Sequence, residues 1–464
     1  MLKTQRGVIP ERLQAEQRPN YPDAACGDDL HRFHGRDASD PATIPEWAAD
    51  RIATVAAASP LAGQGGTGVL EHGRRALRAR GVVGVIAAEG CALEILPKID
   101  LPKTAARKDA AVRRRLIHML GAALDMRIDV GALTDLDWQS DTILEILIRI
   151  FSDKLADALR QGMPRHYVGH EEDLRALRGS MDVVRQFTRH AVNPSRLSCR
   201  FDELSQDIAL NQIMKAAVAR LLCVSRSVRN QRQLQELSFT YADISNVQPD
   251  RLNWEGVKLD RTNRRWSDLL ALARLLLSER FQTSTSGMAA GFALLFDMNV
   301  LFESYIGQLI RRALAGSGLH ASLQGGRLYC LTEEETDRPV FQTKPDIIIR
   351  ASGDVVQIID TKWKRIASRL DDPKGGVAQA DVYQMMAYGQ LYDTPRLTLL
   401  YPHHDGLPGV EGRQAQHFIG GGCIRLDTMS FNVASGKDSV VRLRSFLLGH
   451  GTQERVRNVA ASEE

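Results

Sequence analysis

Residues 344–362 constrain this chain more than any other stretch. They read Lys344-Pro345-Asp346, Ile347-Ile348-Ile349, Ser352-Gly353-Asp354, then Val355-Val356-Gln357-Ile358-Ile359-Asp360-Thr361-Lys362. An apolar run entered through Pro-Asp, and a β-branched run ending in Asp-x-Lys, predict two strands. Ser352-Gly353-Asp354 supplies the turn between them. Antiparallel neighbours run in opposite directions, so the start of the first strand lies beside the end of the second. Asp346 and Asp360 are therefore expected to meet at one edge of a sheet. Lys362 points the same way as Asp360, because side chains alternate along a strand.

Two carboxylates and an ammonium gathered in this way offer oxygen ligands suited to Mg2+ or Mn2+. Such an ion polarises a phosphodiester and lowers the pKa of a bound water. Lys362 can hold or deprotonate that water, or offset charge developing on the phosphate. The pattern resembles the signature of the PD-(D/E)xK nuclease superfamily in an Asp-x-Lys version. The same residues also describe a surface hairpin with solvated charges, and Asp-x-Lys alone does not choose between the two.

The rest of the chain bears on that choice. Its 464 residues, 44% hydrophobic and 25% charged, fit a globular α+β or α/β protein of two to four domains. No apolar run approaches the ~20 residues that span a bilayer, and no signal peptide is visible at the N-terminus. The six cysteines are scattered, without Cys-x-x-Cys or zinc spacing, so reduced thiols and a cytoplasmic location are expected. A net charge of +4 leaves any DNA surface to be local.

Four regions are predicted. Residues 1–60 are an irregular extension ending in a short helix near Pro45-Glu46-Trp47. Residues 61–140 form a small β-rich domain with a hairpin over 82–99 and a helix near 111–125. Residues 141–285 are helix-rich, starting with an amphipathic helix over 142–161 that carries Ile143, Ile146, Leu147, Ile150 and Phe151 on one face. This middle region holds Arg175, Arg178, Arg185, Arg189, Arg196 and Arg200 around Phe187 with little acid to balance them. Such a patch suits a phosphate backbone, with Arg178, Arg185, Arg189 and Arg196 as candidate DNA contacts; a solvated basic face is the equal alternative.

Residues 286–464 form the last region. A helix is predicted from Gly291 to about Leu314, with an apolar stripe of Leu295, Met298, Phe302 and Ile306 and with Glu303 among them. A second helix over 378–391 carries Gln384 and Tyr388 on one face, and a buried strand follows at 397–402. With a first strand near 327–331, the order is α-β-β-β-α-β. Glu303 is either an exposed glutamate or a third carboxylate beside Asp346 and Asp360.

Several phrases together resemble one family. They are Leu93-Glu94-Ile95-Leu96-Pro97-Lys98-Ile99, Leu177-Arg178-Gly179, Cys199-Arg200-Phe201-Asp202-Glu203, Leu210-Asn211, Leu294 through Ile306, Lys344-Pro345-Asp346, Asp360-Thr361-Lys362-Trp363-Lys364 and Asp381 through Tyr388. The sequence is similar, over roughly residues 75–405, to the McrC nuclease subunits of modified-cytosine restriction systems. The resemblance implies an endonuclease with a restriction-endonuclease-like core, working with an McrB-like AAA+ GTPase ring that recognises modified DNA. It implies catalytic roles for Asp346, Asp360, Lys362, Glu303, Gln384 and Tyr388, with Asp346, Asp360 and Glu303 toward the metal. It further implies that the N-terminal β-rich domain engages the ring and stimulates its GTP hydrolysis.

The sequence lacks Gly-x-x-x-x-Gly-Lys-[Ser/Thr], so GTP is expected to be used by the partner and not bound here. Gln64-Gly65-Gly66-Thr67-Gly68 has no lysine and reads as a loop. His403-His404 and His31-Arg32-Phe33-His34 lack a third ligand and read as surface histidines. Two other functions compete with the nuclease: a non-catalytic activator of an AAA+ ring, and a free-standing repair-type nuclease. The intact Asp346, Asp360 and Lys362 set speaks against the first, and the large region before residue 290 against the second.

Overall fold

A computed structural model describes residues 13–14, 46–63, 68–73, 76–88, 91–100, 108–126, 138, 141–190, 195–261, 263–277, 281–284, 291–366, 376–407, 409–434 and 438–448. Most of the expected N-terminal extension, the loop at 64–67 and His31 and His34 lie outside them. The chain divides into two compact units. One draws on Met1–Ile143 and Arg280–Glu464, the other is Leu144–Glu279. Among the described residues no helix is long and apolar enough to cross a membrane.

In chain order the first unit opens with β1 (Leu13–Gln14), α1 (Glu46–Ala57), the hairpin β2 (Leu70–Gly73) and β3 (Ala76–Ala79), β4 (Val82–Ala88), β5 (Cys91–Ile95) and α2 (Lys108–Ala123). The second unit carries α3 (Ile143–Arg160), β6 (His166–Leu174), β7 (Ser180–Met181), α4 (Val183–Arg189), β8 (Leu197–Ser205), α5 (Ala209–Val224), α6 (Val228–Thr240) and α7 (Ser267–Leu277). The first unit then resumes with β9 (Phe281–Ser284), β10 (Gly291–Asp297), α8 (Met298–Leu314), β11 (Leu319–Leu323), β12 (Tyr329–Thr332), β13 (Pro339–Gln342), β14 (Ile347–Ala351), β15 (Asp354–Thr361), α9 (Gln379–Leu391), β16 (Arg396–Pro402), β17 (Gly412–Phe418), β18 (Arg425–Phe431) and α10 (Ser439–Leu448).

The N-terminal sheet has the order β1-β5-β4-β10-β9. Its face packs on Ala48, Ile52, Val55 and Ala56 of α1, so the helix near Trp47 belongs to this core and not to an irregular extension. β10 corrects a second expectation. Residues 291–297 are a strand paired with β4 from Gly291↔Ala88 to Asp297↔Val82, and the helix begins only at Met298. Asp297 ends the strand and caps the helix by accepting from Asn299 N at 2.7 Å and Val300 N at 3.1 Å. The pairing requires Gly84: its φ is +137°, and a Cβ there would lie 2.0 Å from the Leu294 carbonyl oxygen.

The second sheet has the order β11-β14-β15-β16-β18-β17. β11, β14 and β15 pair antiparallel, while β16 and β18 run parallel to β15. Leaving aside the separate hairpin β12–β13, the elements from α8 to β16 follow the order helix, three strands (β11, β14, β15), helix, strand. The first of these strands is β11 at Leu319–Leu323, not residues 327–331, which enter the separate hairpin β12–β13. Between β14 and β15 the turn residues Ser352 and Gly353 have φ of +47° and +101°, the two-residue geometry that matches strand twist. A core of Ile348, Ile358, Met385, Tyr388, Leu397 and Leu399 packs α9 on this sheet.

In the second unit, β6, β8 and β7 form a three-stranded sheet inside the region expected to be helical. Cross-strand register places Glu171 opposite Arg200 and Ser180 on the other side of Arg200. The phrase Leu177-Arg178-Gly179 is explained here: Gly179 has φ +68°, and a Cβ would meet the Arg200 carbonyl oxygen at 2.3 Å.

Candidate active site

The hairpin β14–β15 lies inside the six-stranded sheet, so Asp346 and Asp360 meet at strand ends in its interior and not at an edge. Asp346 precedes β14, and its Oδ2 accepts from Thr361 N at 2.7 Å and Thr361 Oγ1 at 2.8 Å. This fixes the first carboxylate against the end of the second strand. Asp360 is 1% exposed. Its Oδ2 lies 2.7 Å from the Lys362 ammonium, and its Oδ1 has no partner among the described residues. Burial and the adjacent Asp346 push Asp360 up to about 6. Burial, then the Glu303 charge, hold Asp346 above the ordinary carboxylate range.

α8 delivers Glu303. Its Oε1 accepts from Gln324 Nε2 at 2.8 Å, and Gln324 N donates to the Asp346 carbonyl at 2.8 Å. Gln324 thus ties Glu303 to the Asp346 segment. Burial raises the Glu303 carboxyl, with Lys344, Asp360 and Lys362 close enough to act on it. The helix is anchored to the same strand end by Asn299, which accepts from Trp363 N at 3.2 Å, and by Phe302, whose ring meets Trp363 edge-on at 5.3 Å.

α9 brings Gln384 and Tyr388. Lys362 Nζ donates to Gln384 Oε1 at 3.2 Å, and Gln384 Nε2 donates to the Tyr388 hydroxyl at 2.8 Å. Burial opposes the charge on Lys362, but Asp360, Asp381 and Asp346 outweigh it and hold the ammonium above the ordinary lysine range. The structure therefore gathers Asp346, Asp360, Lys362, Glu303, Gln384 and Tyr388 around one set of strand ends. Sequence reasoning missed Thr361, Gln324 and Asn299, each a hydrogen-bonding side chain without a charge to mark it.

The carboxylates do not form a complete cage: among the described residues no three His, Cys, Asp or Glu side chains are arranged to hold a metal alone. Mg2+ commonly takes one or two carboxylates and leaves other positions to water and phosphate. Asp346 and Asp360 fit that role, because a half-buried and a buried carboxylate share one ammonium and Asp360 Oδ1 has no partner among the described residues. Transition-metal binding at His403-His404 is disfavoured: His403 Nδ1 bonds Ser430 Oγ and His404 Nε2 bonds the Ile366 carbonyl, both at 2.9 Å.

The arginine window lies in the second unit, and acid does balance it. Arg178 pairs with Glu203 at 3.4 Å and stacks over Phe201 at 4.1 Å. Arg185 pairs with Glu171 at 3.4 Å, and Arg200 with Asp182 at 2.6 Å and Glu171 at 3.0 Å. Arg196 Nη1 donates to the Asp173 carbonyl at 3.4 Å. Arg189 sits in the last turn of α4. Acids of β6, β8 and the α4 cap thus meet these arginines, which weakens their reading as a free cationic groove.

Comparison with known proteins places this architecture. The family model described as "McrBC 5-methylcytosine restriction system component" matches residues 77–402. No curated protein matches. Among solved structures, a chain of a half-complex from a tetradecameric assembly of Thermococcus gammatolerans McrB AAA+ hexamers with bound McrC is similar in fold. It is 22% identical, with 82% of this chain and 86% of that chain covered and a TM-score of 0.59. A chain of the Thermococcus gammatolerans McrBC complex is 27% identical over 53% of this chain and 71% of that one, with a TM-score of 0.42. The family match runs from β4 through β16 and includes the gathered carboxylates, and the chain belongs to the McrBC 5-methylcytosine restriction system component family.

Proposed function

We propose that this chain is the Mg2+-dependent endonuclease subunit of a GTP-driven restriction complex that cleaves DNA carrying modified cytosine. In this reading the elements from α8 to β16 are a PD-(D/E)xK core, and an McrB-like AAA+ GTPase is the partner that the chain activates. One observation carries it: a half-buried Asp346 and a buried Asp360 stand at adjoining strand ends, with Lys362 2.7 Å from Asp360 and one carboxylate oxygen of Asp360 unpaired among the described residues. Asp346 and Asp360, with Glu303 beside them, would hold the ion. When bound, Mg2+ supplies charge to polarise a phosphodiester and to acidify water.

The chain's own groups do the rest. Lys362 is held charged, which suits it to donate to a phosphate oxygen and to offset the negative charge that grows during cleavage. Gln384 turns its carbonyl oxygen to that ammonium and its amide to Tyr388. Gln384→Ala should therefore lower the cleavage rate by about 10- to 100-fold while DNA affinity changes little, since it loosens Lys362 without removing a phosphate contact. Single-turnover cleavage and filter binding on the same DNA check this split.

The sequence contains no P-loop, so the purified chain should turn over no GTP but should raise the turnover of its partner. The decisive assay is cleavage of a 5-methylcytosine plasmid with and without the partner and GTP. Cleavage only in the full mixture supports the reading. GTPase stimulation without cleavage would favour the non-catalytic activator, and cleavage by the chain alone the free-standing nuclease.

A further inference from the structure

Asp381 lies in the first turn of α9, one turn before Gln384 and two before Tyr388, so the three share a face. It is 7% exposed, yet its Oδ2 has no hydrogen-bond partner among the described residues. The Lys364 ammonium stands 3.8 Å away, outside hydrogen-bond reach. Tyr401, buried on β16, brings its hydroxyl close enough to Asp381 for the two to interact. The charge of Asp381 acts on Asp360, Lys362 and Tyr401 alike, which places it against the gathered site.

A buried carboxylate served this poorly works against folding. Its place in the first turn of α9 returns only about 0.3–1 kcal/mol through the helix dipole, less than the cost of an unsatisfied buried oxygen, and strain of this kind collects where function needs it. We propose that Asp381 is a positioning residue for cleavage: with Lys364 and Tyr401 it fixes α9 against the end of β15, so that Gln384 meets the Lys362 ammonium. The inference rests on the nuclease reading above. Two rungs then join helix to strand end. One is Gln384 to Lys362 at 3.2 Å, and the other is Asp381 to Lys364, one turn earlier on the helix and two residues further along the segment that follows β15. A single rung lets the helix pivot about its contact; two rungs fix its rotation and its slide together. Lys362 must reach Asp360 and Gln384 at once, and a displacement of about 1 Å at such a site costs on the order of 100-fold in rate.

The test uses the full chain with its AAA+ GTPase partner, GTP, Mg2+ and a 5-methylcytosine plasmid. Asp381→Asn keeps the volume and removes the charge. Single-turnover cleavage should slow by about 10- to 100-fold, with DNA Kd within about twofold and Tm unchanged or higher. Lys364→Met removes the other end of the rung from a half-buried position and should give a smaller loss of the same kind. The double variant should be no slower than Asp381→Asn alone, because both act through one contact. Wild-type cleavage by Asp381→Asn overturns the proposal, as does a Tm that falls in step with activity. If Asp381→Asn does not fold, normal cleavage by Lys364→Met overturns it. Asp360→Asn separates the two levels: if that variant still cuts, the nuclease reading fails and this inference falls with it.

Discussion

Asp360→Asn should abolish cleavage, by at least about a thousandfold as for other essential catalytic groups, and should at the same time make the metal-free protein more stable at pH 7.5. Loss of activity follows from the unpaired oxygen at the strand ends. The gain in stability follows from the raised pKa. Asp360 stands at about 6 in the folded chain, above the ~3.9 of an unfolded aspartate. Between those values the folded state binds more protons than the unfolded one, so stability falls as pH rises from 4 to 6 and stays lowered above 6. About two pKa units correspond to roughly 3 kcal/mol, or several degrees in Tm. The advantage of the asparagine should be largest above pH 6.5 and fade toward pH 4. Adding Mg2+ should raise the Tm of the wild type and leave the variant unmoved. Thermal scans at pH 4.5 and 7.5, with and without Mg2+, check all of this apart from activity. A variant that is dead and less stable at every pH would make Asp360 a structural residue.

Glu94→Ala should cost about 3–5 kcal/mol, the usual penalty for breaking a buried ion pair from one side. Glu94 accepts from Arg113 Nη2 at 2.6 Å and Nε at 3.0 Å, and from the Ile143 backbone N–H at 2.8 Å. Arg113 Nη1 in turn donates to the Trp138 carbonyl at 3.0 Å. Both side chains are almost fully buried, so alanine at 94 strands a guanidinium away from water and uncaps the start of α3. Glu94→Leu with Arg113→Met should recover most of the loss, because a hydrophobic pair of similar volume removes both charges together. Urea titrations of the single and double variants decide this. A double variant as unstable as Glu94→Ala would show that the hydrogen bonds to Ile143 and Trp138 matter more than the charge.

That phrase, Leu93-Glu94-Ile95, shows what a family resemblance does not separate: its glutamate belongs to a buried scaffold contact and not to the candidate site. Asp346, Asp360 and Lys362 were legible because strand alternation and a two-residue turn fix their placement locally. Gln384 and Tyr388 were legible because four residues make one helical turn. Residues 292–296 were not, because an apolar run buried on both faces has no period and reads equally as helix or strand. Asp297, with its cap on Asn299 and Val300, was the overlooked signal. β11 was hidden because Leu319–Leu323 carries His320 and Ser322 and little β-branched character, while Tyr329–Leu331 looks more like a strand and is one, in another hairpin. The arginine window misled because its counter-charges arrive through the fold: Glu171 by register across β6 and β8, Glu203 from β8 to Arg178, and Asp182 from the α4 cap to Arg200.

The pairing of β10 with β4 also sets an order of assembly. Val82 is synthesised long before its partner Asp297, with the whole of Leu144–Glu279 between them. At the ribosome's pace of about 5–20 residues per second, β4 waits on the order of ten seconds or more. β5 follows at once and covers one edge of β4, but the other edge of this Val-Val-Gly-Val-Ile segment stays open, and an open apolar edge recruits other chains. The whole second unit is synthesised in that interval. Only then does Met298 N reach the Gly81 carbonyl at 2.8 Å and start the helix that carries Glu303. Nascent chains truncated before β10 should thus hold an open β4 edge, and the candidate site forms late in synthesis.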